Sequence, residues 1–140
     1  MSSSPPELQP EVPLFAWRLF TPDEWQTAVD ANAFSGTALD RKDGFIHLSL
    51  PEEVRKTVST YFSSAPLLIL AKISLLSFTN AGMTRMDWVA SRRAFFPHVY
   101  REAVGTETPS PPSIPMASFV QPIIELVNTG DGFSGWPEGI

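Results

Sequence analysis

The chain carries two histidines, each inside an apolar, aromatic string: Asp43-Gly44-Phe45-Ile46-His47-Leu48-Ser49 and Phe95-Phe96-Pro97-His98-Val99-Tyr100. Imidazole is the side chain whose unperturbed charge change falls near neutral pH, so His47 and His98 are the candidates for acid/base work. Alternation along an extended segment puts Phe45, His47 and Ser49 on one face, and His98 with Tyr100 on one face. Ser49-Leu50-Pro51-Glu52 reads as a capping box, which would set His47 beside a helix N-terminus able to receive a phosphate or carboxylate. Helix capping accounts fully for Ser49, and a hydrogen-bonded core position accounts for His47. An imidazole and a phenol at His98 and Tyr100 could bind a polar ligand or tie down a loop. Both kinds of reading stand at this point.

Other chemistries find less support. The chain has no cysteine, which removes disulfides, thiolate nucleophiles and cysteine-based metal sites. A facial metal triad could be drawn from His47, His98 and one of Asp40, Asp43 or Asp87, but no close histidine spacing supports it, and no metal is expected. There is no glycine-rich phosphate loop and no nucleophile elbow. Arg92-Arg93 reads as a solvated pair or as a meeting point for an anion. The net charge of −5, with ten Lys plus Arg, is unsuited to a phosphate backbone, so nucleic acid is not expected as a partner. The longest apolar run is too short to span a bilayer, and the N-terminus lacks a secretory pattern. The expectation is a cytoplasmic protein that binds a small-molecule ligand and no membrane, its oligomeric state left open.

The elements that would position these residues follow from periodicity. Residues 1–13, with four prolines, read as a disordered arm, 14–128 as a single α+β domain, and 129–140 as a C-terminal tail. A strand over Leu14–Phe20 precedes a helix capped at Thr21-Pro22-Asp23-Glu24, with Trp25, Ala28 and Val29 as its buried stripe. Residues 32–42 read as a loop, ending in a turn at Asp40–Gly44. Phe45–Ser49 reads as a strand feeding a helix with Val54, Val58, Tyr61 and Phe62 inside. Leu67–Ile73 reads as a central strand buried on both faces. The stretch 74–96 is irregular, with Met83, Met86 and Trp88 as core contacts. A short strand over Tyr100–Gly105, a loop at Pro109–Pro112 and a strand over Phe119–Val127 complete the pattern.

Taken in order, these strings resemble the domain of unknown function 952 family. The match runs through Trp25, Phe34-x-Gly36 with Asp40, the two histidine strings, and Asp131-Gly132-Phe133-Ser134, over roughly residues 14–137. Arg101 stands where the family usually has glycine, and Asp87 where it usually has glutamate. The resemblance implies a small α+β domain with a split antiparallel or mixed sheet and flanking helices, of ADP-ribosyltransferase-like fold. It further implies a cleft for NAD, ADP-ribose or a related molecule, with His47 and Ser49 on one wall and His98 and Tyr100 on the other. His47 and His98 are then the catalytic candidates. Ser49, Tyr100, Phe45, Trp17 and Asp43 are the ligand-binding candidates. The alternatives are a histidine acid/base enzyme (isomerase, cyclase or lyase type) and a non-catalytic interaction module with structural histidines.

Overall fold

Thr21 ends strand β1 (Phe15–Phe20) and starts helix α1 (Pro22–Ala31). Its hydroxyl accepts from the Glu24 amide at 3.2 Å, while Glu24 accepts from the Thr21 amide at 3.0 Å, the expected capping box. The structure, a computed structural model, describes residues 9–101 and 112–140. Trp25 and Ala28 turn inward, but Val29 is exposed. Val29 lies one residue, about 100°, round the helix from Ala28, off the narrow stripe that the sheet covers.

The segment expected as a loop is partly regular. Strand β2 (Ala33–Phe34) and helix α2 (Ala38–Asp43) occupy it. The Thr37 amide and hydroxyl both donate to Asp40 Oδ2, at 2.7 and 2.9 Å, so the polar string expected as a turn is a tied helix end. Gly36, at φ +91°, approaches so closely that an added Cβ would lie 3.0 Å from Asp40 Cβ and 3.2 Å from Ile46 Cδ1. Glycine there sets Asp40 in place.

The next strand is shorter than its alternation suggests. Ile46–His47 forms β3, and Ser49 instead exchanges backbone bonds with Trp17 of β1, at 2.9 and 2.8 Å. The second capping box does not form. Helix α3 (Pro51–Tyr61) is capped at Leu50, with no side-chain cap bond, because Ser49 is held one residue too early by Trp17. Val54 and Val58 are buried as expected, whereas Tyr61 is 64% exposed and Phe62 fills the inner position instead.

Strand β4 (Leu67–Ser74) lies between β1 and β8 (Phe119–Asn128), antiparallel to both, and is buried on both faces. Leu68 and Leu70 pack under α3 with Leu19, Val54, Val58 and Leu126. Ile69, Ala71 and Ile73 face the other core with Phe20, Phe34 and Ile46. The irregular stretch holds helix α4 (Leu76–Asn80) and a hairpin of β5 (Thr84–Val89) and β6 (Ala94–Val99). Pro97 inside β6 and the charged Arg85 and Asp87 in β5 hide that hairpin from a pattern reading. Met86 is buried, Met83 packs against the core, and Trp88 stacks edge-on against Phe95.

Strand β7 (Ile114–Pro115) pairs with β2, and β9 (Phe133–Ser134) pairs with β8. Among the described residues the result is three antiparallel sheets, ordered β1-β4-β8-β9, β2-β7 and β3-β6-β5, with flanking helices: an α+β domain. The segment expected as a tail returns to the sheet through β9, and Trp136 and Ile140 pack against the Leu70 cluster. Tyr100 follows β6, its amide donating to the Met83 carbonyl at 2.8 Å; most of the strand expected there, and most of the loop at Pro109–Pro112, lie outside the described residues. So do the first eight residues of the expected arm, whose described end packs Val12 against the core and donates from Gln9 to the Met86 carbonyl. Among the described residues no helix is long and apolar enough to cross a membrane.

Candidate functional site

The ladder between β3 and β6 puts His47 directly opposite His98, with ring centroids 5.4 Å apart. Phe45 stacks on His98 at 4.0 Å and 19°, and it also touches the His47 and Tyr100 rings. The four aromatic side chains singled out in the two strings therefore form one cluster. Three carboxylates hold it, Asp40 and Asp43 at His47 and Asp87 at His98 and Tyr100.

On one side stands Asp40, fully buried. It accepts from both Arg18 terminal nitrogens at 2.9 Å, from His47 Nδ1 at 2.7 Å and from the His47 amide at 3.0 Å, besides the two Thr37 bonds. Burial alone would raise its pKa. The hydrogen bonds from His47 and Arg18 and the charge of Arg18 outweigh it and hold the carboxyl far below the usual range. Arg18 also donates to the His47 carbonyl at 2.9 Å and lies over Phe34, so the charge of an arginine in an otherwise apolar strand is paired. His47 Nε2 meets Asp43 Oδ2 at 2.8 Å. Both ring nitrogens of His47 thus face carboxylates.

On the other side Asp87 Oδ2 meets His98 Nδ1 at 2.7 Å and accepts from the Tyr100 hydroxyl at 2.6 Å, while Arg85 pairs with Oδ1 at 2.8 Å. Burial pushes the His98 pKa down more than Asp87 raises it. Burial and the Asp87 bond together push the Tyr100 hydroxyl well above its ordinary value. The Asp87 carboxyl, raised by burial, is pulled below its ordinary value by the His98 and Tyr100 bonds. His98 is therefore a neutral imidazole that donates from Nδ1 and keeps its Nε2 lone pair. Among the described residues nothing bonds that nitrogen. A buried, oriented, neutral imidazole is a general base in form.

Both histidines open onto a cleft of about 360 Å³ that runs between β1, α3 and the β5–β6 hairpin. Trp17 and Ser49 line it with them. Phe45, Tyr100 and Asp43 stand behind the histidines, outside its walls. The apolar part is made by Leu19, Val54, Phe62, Leu70, Val89 and Phe96, and the exposed Leu39 and Tyr61 flank it. Arg92 belongs to this wall and is half-buried against Glu53. It is not the solvated surface residue its pairing with Arg93 suggested, because the hairpin turn folds it back over Phe96. Asp40 and Asp87, considered as metal ligands and as marks of the family resemblance, orient the histidines. Arg18 escaped attention in the sequence. The available signal was a lone charge within Phe15-Ala16-Trp17-Arg18-Leu19-Phe20, which a buried strand tolerates only with a partner.

Solved structures share this architecture. The crystal structure of protein CC0527 from Caulobacter crescentus superposes with a TM-score of 0.67 at 23% identity, over 85% of this chain and 91% of that one. A solution NMR structure of CC0527 gives 0.61 at 26% identity, over 86% and 90%. No curated protein matches the sequence. The sequence model described as "Protein of unknown function (DUF952)" matches residues 19–108, and the chain accordingly belongs to the DUF952 family.

Proposed function

We propose that the cleft binds a small nucleotide-type ligand, NAD, ADP-ribose or a relative, in the manner of an ADP-ribosyltransferase-like fold, with the two histidines at its reacting end. The observation that carries the reading is the pairing of His47 with His98 on one cleft wall, one imidazole saturated by carboxylates and the other holding a free nitrogen. A volume of about 360 Å³ suits a ring with its sugar. Trp17 offers a face for the ring, the Ser49 hydroxyl offers a polar contact, and His98 Nε2 accepts a proton. When bound, such a ligand supplies a transferable ADP-ribosyl group. The separated antiparallel sheets, with Ser49 bridged to Trp17 where the chain leaves β3, support the fold assignment.

Thermal-shift titration of the protein with NAD and ADP-ribose tests this directly. Stabilisation that rises with ligand concentration, and that falls at least tenfold in apparent affinity in His98→Asn, is the expected outcome. No shift with either ligand would end the nucleotide reading.

The Asp87–His98 bond also favours a second reading, an acid/base enzyme acting on a small metabolite without NAD. A metabolite screen in which non-nucleotide compounds alone stabilise the protein would select it.

A further inference from the structure

Two half-buried arginines line the cleft, and they are used very differently. Arg18 spends its terminal nitrogens on Asp40 and on the His47 carbonyl, all at 2.9 Å. Arg92 spreads one nitrogen, Nη2, over the Glu53 carbonyl at 3.4 Å, Glu53 Oε1 at 3.3 Å and Thr57 Oγ1 at 3.2 Å. All three are longer than the usual distance of about 2.9–3.0 Å. Its Nε and Nη1 have no acceptor among the described residues. The buried Glu53 carboxylate also accepts from Lys56 at 3.2 Å, so two cations share one anion. A surplus positive charge is left in a largely apolar wall, with its guanidinium 4.9 Å from the centre of the Phe96 ring.

We propose that Arg92 is the anion-binding residue of the cleft, taking a carboxylate or phosphate of the ligand on its uncommitted nitrogens. The assignment deepens the small-ligand reading above and rests on it. Phe96 and His98 are alternate residues of β6 on the same cleft wall, about 7 Å apart along the strand. The cation over Phe96 and the free imidazole nitrogen of His98 therefore line the same cleft, on neighbouring positions of one strand face. The ligand class follows: a flat ring or sugar in the cleft, its reacting group at His98 and an acid group at Arg92. A nucleoside monophosphate and a small aromatic acid both have that form. The guanidinium fork matches either anion, and the surrounding apolar wall strengthens the contact.

Two matched pairs of probes test the assignment by titration calorimetry on the full chain. Nicotinate and nicotinamide differ in a carboxylate; adenosine 5′-monophosphate and adenosine differ in a phosphate. The acid should bind at least about tenfold tighter than its neutral partner in one pair, and which pair does so identifies the anion. Arg92→Gln should erase that preference while leaving the neutral compound within about twofold. Arg92→Lys keeps the charge beside Glu53 but loses the fork, so it should fall between, and it carries the test if the glutamine variant does not fold. Equal binding of acid and neutral partners, or an undiminished preference in the variant that folds, overturns the role of Arg92 alone. If none of the four binds, the affinity of Arg92→Gln (or Arg92→Lys if the glutamine variant does not fold) for NAD or ADP-ribose decides: an unchanged value overturns Arg92. If those two are silent as well, the nucleotide reading and the role of Arg92 fall together.

Discussion

His47 and His98 stand opposite each other on paired strands, yet carboxylates hold them in opposite ways. Asp40 and Asp43 take both nitrogens of His47, and Asp40 is in turn locked by Arg18 and Thr37. Asp87 takes one nitrogen of His98 and leaves the other. The first arrangement is an anchor: it ties α2, β1 and β3 together around a buried charge. The second is an instrument, since a neutral imidazole with a fixed tautomer can move a proton. Similar residue types on neighbouring strands differ because burial and the number of partners differ. The arginines repeat the lesson: both terminal nitrogens of Arg18 make bonds of 2.9 Å, whereas one nitrogen of Arg92 makes three longer ones.

The comparison breaks most visibly at Asp40. Asp40→Asn leaves Arg18 half-buried without its counter-charge, and a urea melt at pH 7 should show a loss of about 3–5 kcal/mol. Because the folded Asp40 pKa lies far below the unfolded value of 3.8, its stabilisation is fully present above that value and drains away as pH falls below it. The variant should therefore also flatten the acid limb of the stability curve. A loss under about 1 kcal/mol would show that Asp40 is no anchor.

His98 sharpens the contrast through pH. Its folded pKa is depressed below the unfolded 6.5, so below 6.5 the unfolded chain takes up a proton that the native state refuses. Stability should rise with pH up to about 6.5 on this account, by at most about 1.4 kcal/mol per pH unit. Melts of the native protein and His98→Asn between pH 5 and 7.5 should differ in that slope, with the variant flatter. Parallel curves would mean that His98 is not held neutral.

Tyr100→Phe removes one donor from Asp87 while keeping the ring against Phe45. A loss of about 1–2 kcal/mol is expected, read by the same melts. Ser49→Ala should have the smallest effect, under about 0.5 kcal/mol, because the Ser49 hydroxyl caps nothing and its backbone bonds to Trp17 survive. A loss near 1 kcal/mol, the usual effect of removing a helix cap, would contradict the capping of α3 at Leu50.

Much of the molecule is legible from local chemistry. The capping box at Thr21, the doubly buried run of β4, the strand at Phe119 and the alternation that puts Phe45 and His47 on one face depend on residues a few positions apart, and a linear sequence displays these. Family membership was legible for the same reason, through two ordered histidine strings. Two features misled that local view. Ser49 carries a perfectly good cap sequence, but its backbone is claimed by Trp17, thirty-two positions away. The polar string at Asp40 looked like a turn because its value lies in burial, and burial is a property of the assembled core. Composition and periodicity alone thus determined the α+β character, the position of the central strand and the presence of two histidine strings. Only the tertiary structure decided that Asp40 and Asp87 hold those histidines differently, that Arg18 is consumed and that Arg92 is not. Partner choice among charged side chains depends on which of them lose water together, and long-range strand pairing decides that.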